Sequence, residues 1–182
     1  VLKMVYYKGM GEIMKLKDTI RAIEDYPKEG VIFRDITTLL KDKDAFKKSV
    51  DEMAAKIDDD VDKIIGIEAR GFIFGAALAY KLNKGFIPVR KPGKLPWDKI
   101  SESYDLEYGE DSIEIHEDAI EPGEKVVIVD DLLATGGTSK ACLKLVRSLG
   151  GEVSSLVFLA ELEGLKGRDE LKGEKVHSVI RY

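Results

Sequence analysis

The chain has 182 residues, of which 44% are hydrophobic and 35% are charged, and its formal net charge is −5. This length and composition predict one soluble globular domain with a sizeable core. The negative charge argues against general nucleic-acid binding, which needs clustered basic residues, but leaves a small polyanionic substrate open. No apolar run approaches the roughly 18 residues of a membrane span, and the single cysteine, Cys142, excludes an internal disulfide. We therefore expect a cytoplasmic protein without a membrane partner.

The amino-terminal part of the sequence predicts two helices. Residues 1–13 precede Met14 and are interpreted as an upstream extension, which leaves 14–182 as a single domain. The segment Lys15–Asp25 predicts an amphipathic helix. For the second helix we predict Asp44 as the cap, before apolar residues that recur at helical spacing, namely Phe46, Val50, Met53 and Ile57.

Further along the chain, short apolar runs alternate with helical patterns. Strands are predicted at Lys63–Ile67, Gly85–Val89, Ser112–His116, Val126–Val129 and Ser154–Leu159. Helices are predicted at Gly71–Leu82 and Ser139–Leu149. This alternation favours an α/β fold in which a central parallel sheet is flanked by helices. Ligands of such folds bind beyond the carboxyl ends of the strands.

The segment Val126–Ser139 predicts a phosphate site. A buried strand ends in Asp130 and Asp131, and a loop then leads into a helix through Ala134, Thr135, Gly136, Gly137 and Thr138. Glycines let backbone amides approach a ligand, and the start of the helix offers unpaired N–H groups with partial positive charge. The lysine of a Walker loop is missing. Two neighbouring carboxylates suit the vicinal hydroxyls of a ribose and help to hold a hard cation, so the segment fits a ribose 5-phosphate.

This segment resembles the phosphoribosyl pyrophosphate signature of the type I phosphoribosyltransferases. Four further segments resemble the adenine phosphoribosyltransferase family: Gly30–Ile36 its base-binding segment, Ile67–Phe72 its pyrophosphate loop, Arg90–Pro96 its basic strand end, and Ser103–Gly109 its mobile catalytic loop. The resemblance implies a Rossmann-like sheet with a small hood, built from about 14–40 and from residues around 160–170. It also implies that the enzyme makes AMP and pyrophosphate from adenine and phosphoribosyl pyrophosphate.

The resemblance further implies roles for residues on the phosphoribosyl side. The loop Ala134–Thr138 cradles the 5-phosphate, and Asp130 and Asp131 face the ribose hydroxyls. Arg70 and Lys91 hold the pyrophosphate, since a leaving group of high negative charge needs fixed cations. Glu68 and Ala69 form a backbone turn with a cis peptide bond. Mg²⁺ is implied as the cofactor, held mainly by substrate oxygens, with Asp130 and Asp131 as candidate ligands.

For the base, the resemblance implies that Phe33 and Leu162 sandwich the adenine ring while backbone groups at Ile32 and Arg34 read its edge. Glu107 is the candidate proton acceptor, because the base loses a proton as its ring nitrogen attacks. Tyr108 closes over the reacting centre, within a mobile lid expected at 96–110. A homodimer is also implied.

Several alternatives stay open from sequence alone. Phe33 and Leu162 are also compatible with plain core positions, and Glu107 with a solvated loop acid. A phosphoribosyltransferase for xanthine or another purine is a close rival, although the stretch Ala160–Glu163 lacks the lysine with which hypoxanthine-guanine relatives meet an oxopurine. A regulator that senses phosphoribosyl pyrophosphate is a rival from another class, disfavoured because Arg70, Lys91 and Glu107 are all present.

Overall fold

A computed structural model describes residues 14–105 and 109–182. The predicted extension at 1–13 lies outside the described residues, and so do Glu107 and Tyr108. The chain divides into two compact units, of which the first ends at Phe46 and the second comprises Lys47–Tyr182.

The first unit is built on a short antiparallel strand pair. A 3₁₀ turn at Leu16–Thr19 leads into β1, Arg21–Ile23, which pairs with β2, Phe33–Asp35. The predicted helix over Lys15–Asp25 is therefore wrong. The Thr19 hydroxyl donates to the Leu16 carbonyl at 2.7 Å. The residues of β1 then pair with β2, so their backbone groups have partners without the internal hydrogen bonds of a helix. A short helix, α1, follows at Thr37–Leu40.

Helix α2 spans Lys43–Ala54, but its cap is not the predicted Asp44. The Asp42 carboxylate instead accepts hydrogen bonds from the backbone amides of Asp44 and Ala45, both at 2.9 Å. This is the usual N-cap arrangement, in which a side-chain oxygen satisfies first-turn amides that have no partner within the helix. Ile57 lies beyond the end of the helix.

The second unit contains a five-stranded parallel sheet within the described residues, in the order β4-β3-β7-β8-β9. The strands are β3 at Lys63–Ile67, β4 at Gly85–Val89, β7 at Lys125–Leu133, β8 at Glu152–Glu161 and β9 at Val176–Arg181. The predicted α/β class is thus confirmed, and β3 and β4 have the predicted bounds. β7 and β8 are longer than predicted, and β9 was not predicted.

Helices cover the sheet. α3 spans Gly71–Leu82, as predicted, and α4 spans Gly137–Ser148. Buried residues of α4, including Leu145, form one apolar cluster with sheet residues such as Ile65 and Ile128. A short helix, α5, lies at Gly167–Glu170. None of the helices in 14–105 and 109–182 has the length and apolar character that crossing a bilayer requires.

A hairpin occupies most of the segment predicted as a lid. β5, Lys99–Asp105, pairs antiparallel with β6, Glu110–His116, throughout its length. The expectation of a loop over 96–110 is therefore wrong for Lys99–Asp105, where burial alternates residue by residue as in a half-buried strand. Trp97, before the hairpin, is 65% exposed.

Candidate active site

The carboxyl ends of β3 and β7 open into a cavity of about 340 Å³. Parallel strands end at the same edge of a sheet, so segments far apart in sequence meet there. The predicted site residues that line this cavity are Glu68, Ala69, Arg70, Lys91, Asp130, Asp131, Ala134 and Thr138. The structure therefore brings together in one cavity the residues to which we assigned the pyrophosphate, the ribose and part of the 5-phosphate.

The two acids at the end of β7 have different surroundings. Asp131 is buried, and its carboxylate accepts a hydrogen bond from Arg70 Nε at 2.6 Å. Asp130 Oδ1 accepts the Asp131 amide at 2.8 Å. Desolvation, followed by the charge of Asp131, raises the pKa of Asp130 well above its ordinary value. The raised pKa favours the protonated form of Asp130.

Glu68 organises the basic segment after β4. Its side chain accepts hydrogen bonds from the Lys91 amide at 2.9 Å and from Arg90 Nε at 3.3 Å, and it forms an ion pair with Lys94. Desolvation acts to raise the pKa of Glu68, but the hydrogen bonds from Lys94, Lys91 and Arg90 outweigh it and lower the pKa to about 2. The Glu68–Ala69 peptide bond is cis, as the family resemblance implies.

Lys91 has two partners that the sequence did not reveal. Its ammonium donates to the Tyr104 hydroxyl at 2.7 Å and forms an ion pair with Asp111. Desolvation acts to lower the pKa of Lys91, but the hydrogen bonds to Asp111 and Tyr104 outweigh it, and the pKa is raised. Tyr104 and Asp111 face each other in the β5–β6 register, so the hairpin presents both to the lysine.

The predicted phosphate loop connects β7 to α4. Gly136 adopts the left-handed conformation, with φ of 89°, which a residue with a side chain rarely takes. No side chain of the described residues caps the amino end of α4, so its first-turn amides can receive an anion. Thr135 and Gly137 line a neighbouring cavity of about 320 Å³ rather than the first one.

The residues assigned to the base belong to different parts of the chain. Ile32 is 48% exposed, and Phe33 makes an edge-to-face contact with Tyr26, with ring centroids 5.3 Å apart, within the first unit. Leu162, half-buried, follows β8 in the second unit. The purine sandwich between Phe33 and Leu162 stays a prediction. The roles assigned to Glu107 and Tyr108 also stay predictions.

The acids of the cavity do not form a metal cage. Across the described parts of the chain, no group of three or more His, Cys, Asp or Glu side chains is arranged to hold a metal ion. Asp130 and Asp131 supply oxygen donors of the kind that Mg²⁺ prefers, but Asp131 is already paired with Arg70. This donor set fits an ion whose other ligands come from a phosphorylated substrate.

Comparisons with known proteins identify the family. Residues 37–178 match the model of the phosphoribosyl transferase domain. The adenine phosphoribosyltransferase of Ruminiclostridium cellulolyticum is 58% identical over 172 residues, which cover 93% of this chain and 100% of the relative. The chain belongs to the adenine phosphoribosyltransferase family.

Solved structures of this family have the same fold. The enzyme of Thermoanaerobacter pseudethanolicus is 55% identical, with a TM-score of 0.89, over 92% of this chain and 98% of that one. The enzyme of Saccharomyces cerevisiae, solved in complex with D-2,5-dideoxy-2,5-imino-altritol 1,6-bisphosphate and adenine, is 38% identical, with a TM-score of 0.83, over 90% of this chain and 96% of that one. The predicted family and fold are therefore confirmed.

Proposed function

We propose that the reaction of the adenine phosphoribosyltransferase family takes place in the cavity at the carboxyl ends of β3 and β7. The chain transfers the 5-phosphoribosyl group of phosphoribosyl pyrophosphate to adenine, producing AMP and pyrophosphate in purine salvage. A purine ring nitrogen forms a bond to C1 of the ribose, the bond from C1 to pyrophosphate breaks, and the base loses a proton. The observation that carries the proposal is the convergence of the acid pair, the basic groups and two residues of the phosphate loop, Ala134 and Thr138, on one cavity.

Arg70 and Lys91 are the groups we assign to the pyrophosphate. Both line the cavity, and both are paired with carboxylates, Asp131 and Asp111 respectively. These contacts hold the cations in place before the substrate arrives, which reduces the cost of organising them around the leaving group. Binding then exchanges part of each contact with a carboxylate for a contact with a phosphate oxygen.

The phosphate loop and the acid pair are assigned to the ribose 5-phosphate. Amides of Ala134–Thr138 and the uncapped start of α4 donate to the phosphate. Asp130 and Asp131 accept hydrogen bonds from the ribose hydroxyls. The raised pKa of Asp130 suits this arrangement, because two fully ionised carboxylates next to a polyanion would repel it.

Glu107 and Tyr108 complete the proposed chemistry. Glu107 takes the proton that the base loses, and Tyr108 closes over the reacting centre to exclude water from a cation-like sugar. Tyr104, three residues before Glu107 in the sequence, lines the cavity, so the end of β5 borders the proposed reaction centre.

Mg²⁺ is proposed as the cofactor, bound mainly through substrate oxygens with Asp130 and Asp131 as protein donors. When bound, it would neutralise developing charge on the leaving group. The protein residues do the rest: they bind the phosphates, orient the ribose and remove the proton.

Adenine is the proposed base, with xanthine or another purine as the alternative. Adenine carries a donor where oxopurines carry an acceptor, and the residues at the end of β8 and just after it, Glu161–Glu163, include no lysine to meet that acceptor. Each purine would be incubated with phosphoribosyl pyrophosphate and magnesium, and nucleotide formation measured. We expect kcat/KM for adenine to exceed that for hypoxanthine, guanine and xanthine by about 100-fold or more, because mismatched buried hydrogen bonds can supply that discrimination. Comparable turnover of an oxopurine would refute the assignment.

A homodimer in the cytoplasm is the proposed state of the protein. Helix α3 supports it, because its outward side carries apolar residues, with Ile73 38% exposed and Tyr80 91% exposed. These two residues are seven positions apart and therefore lie on the same side of the helix. Large apolar side chains that are exposed on one side of a helix are a common feature of protein interfaces.

A further inference from the structure

The backbone that follows β8 passes the phosphate loop at very short range. Gly167 is buried, and a Cβ atom built on Gly136 would lie 2.5 Å from the Gly167 carbonyl oxygen. A Cβ built on Gly167 would in turn collide with the carbonyl oxygen of Ala134. Main chain thus packs directly against main chain, so any shift of Gly167 is transmitted to the loop that we assign to the 5-phosphate.

Arg168, the next residue, anchors this backbone. Its guanidinium donates from Nε and Nη2 to the two carboxylate oxygens of Glu161, at 2.7 and 2.8 Å, and from Nη1 to the Val176 carbonyl at 3.0 Å. Glu161 is only 4% exposed and also accepts the Ser178 hydroxyl at 2.6 Å. A two-pronged contact of this kind fixes the orientation of an arginine as well as its position. The pair therefore ties Gly167 to the carboxyl end of β8 and to the first half of β9.

Glu161 is also connected to the start of the phosphate loop. Leu162 follows it directly and donates its amide to the Leu133 carbonyl at 2.9 Å. Leu133 is the last residue of β7 and immediately precedes Ala134. The Arg168–Glu161 pair is thus linked through the backbone both to Gly167 and to Leu133, the residue before Ala134.

We propose that Arg168 and Glu161 are positioning residues that hold Gly167 against Ala134 and Gly136 and so set the geometry of the 5-phosphate subsite. The inference rests on the proposed function only in assigning the 5-phosphate to this loop. Neither residue is among those that line the cavity, so their effect on substrate is exerted through the loop backbone.

The test is to loosen the anchor and measure the 5-phosphate subsite directly. Arg168→Gln removes the charge and the two-point contact with Glu161, which we call the fork. It should raise the Kd for ribose 5-phosphate about tenfold or more, as measured by titration calorimetry. Displacements of about 1 Å remote from the chemistry can have effects of this size or larger. The KM for phosphoribosyl pyrophosphate should rise by a similar factor, while the KM for adenine changes less than about threefold. Arg168→Lys, which keeps the charge but not the fork, should fall between wild type and Arg168→Gln.

Two controls separate positioning from stability. Arg181→Gln removes another arginine near Glu161, whose Nε lies 3.9 Å from the carboxylate, but leaves the Arg168 fork, so wild-type affinity is expected. Val61→Ala removes buried side-chain volume before β3, at the opposite end of the sheet, and lowers Tm without touching the loop. Wild-type affinity for ribose 5-phosphate in folded Arg168→Gln would overturn the proposal, and so would an equal loss in Val61→Ala.

Calorimetry needs no catalysis, so the two hypotheses can fail separately. A wild-type protein that binds ribose 5-phosphate but forms no AMP would contradict the proposed reaction and leave the positioning role standing. If Arg168→Gln does not fold, Arg168→Lys decides by the same comparison: an affinity at least about threefold weaker than wild type supports the role, and an unchanged affinity refutes it.

Discussion

At the scale of single residues, the candidate site is a set of matched charges. Arg70 is paired with Asp131, Lys91 with Asp111, and Lys94 with Glu68. Each pair fixes a side chain that would otherwise sample many rotamers. The cations are thus ordered before any substrate is present, and a phosphate group has to compete with carboxylates for them.

The ion pairing of Glu68 should make the stability of the protein depend on pH. Its pKa falls from an ordinary 4.5 to about 2 in the folded protein, where hydrogen bonds from Lys94, Lys91 and Arg90 outweigh desolvation. A carboxyl whose pKa is lowered by folding stabilises the protein fully above its unfolded pKa and loses this effect as pH falls through the folded value. We therefore expect Glu68→Gln to lower the free energy of unfolding at pH 7, and the difference from wild type to shrink between pH 4.5 and pH 2.

Urea unfolding of both proteins across this pH range provides the measurement. Glu163→Gln is the matched control, because Glu163 is 55% exposed and its ion pair with Arg181 is exposed as well. Exposed pairs of this kind contribute about 0–1 kcal/mol, so little change is expected. A difference between Glu68→Gln and wild type that does not vary with pH would contradict the prediction.

At the scale of elements, the start of α2 gives a direct comparison of two aspartates. Asp42 accepts two first-turn amides, whereas Asp44, which the sequence suggested as the cap, lies inside the helix. Asp42→Ala should lower the free energy of unfolding by about 1 kcal/mol, the usual effect of losing an N-cap. Asp44→Ala should have a smaller effect, since it removes only a favourable charge near the helix start. Thermal and urea unfolding measure both, and equal losses would rule out Asp42 as the cap.

Strands and helices could be predicted where the apolar pattern of the segment itself determines its secondary structure. β3, β4 and α3 have their predicted bounds because each is an apolar segment that ends at polar residues or glycines. β7 extends past the predicted Val129 because Asp130, Leu132 and Leu133 continue to pair with β8, although the acids interrupt the apolar run. β1 could not be predicted, since its strand conformation depends on pairing with β2 from another segment.

The candidate site, too, could be predicted from the sequence only in part. The acid pair and the phosphate loop are contiguous in sequence, so their chemistry could be inferred from one segment. Tyr104 and Asp111 were missed as partners of Lys91 because their alignment depends on the β5–β6 register. That register depends on tertiary packing, which cannot be inferred from the residues around Lys91.

At the scale of the whole molecule, the outward side of α3 predicts self-association. Ile73 and Tyr80 leave an apolar surface that a second copy would cover. Sedimentation equilibrium at micromolar concentration should show a dimer for wild type and a monomer for Ile73→Lys combined with Tyr80→Glu. Leu165→Lys is the control, because Leu165 is 45% exposed but lies outside α3, and it should remain dimeric. A monomeric wild type would refute the dimer, and a dimeric double variant would place the interface elsewhere.

The paired charges of the site also determine how a substrate arrives. An unpaired group of cations would project a positive field into solvent and accelerate the encounter with a polyanion. Here the carboxylates of Glu68, Asp111 and Asp131 weaken that field, and the molecule as a whole carries a net charge of −5. Phosphorylated metabolites are therefore concentrated at the entrance less than an unpaired group of cations would concentrate them. Discrimination among anions then depends on contact, where a ligand whose phosphate oxygens can replace the carboxylates binds better than an anion that cannot.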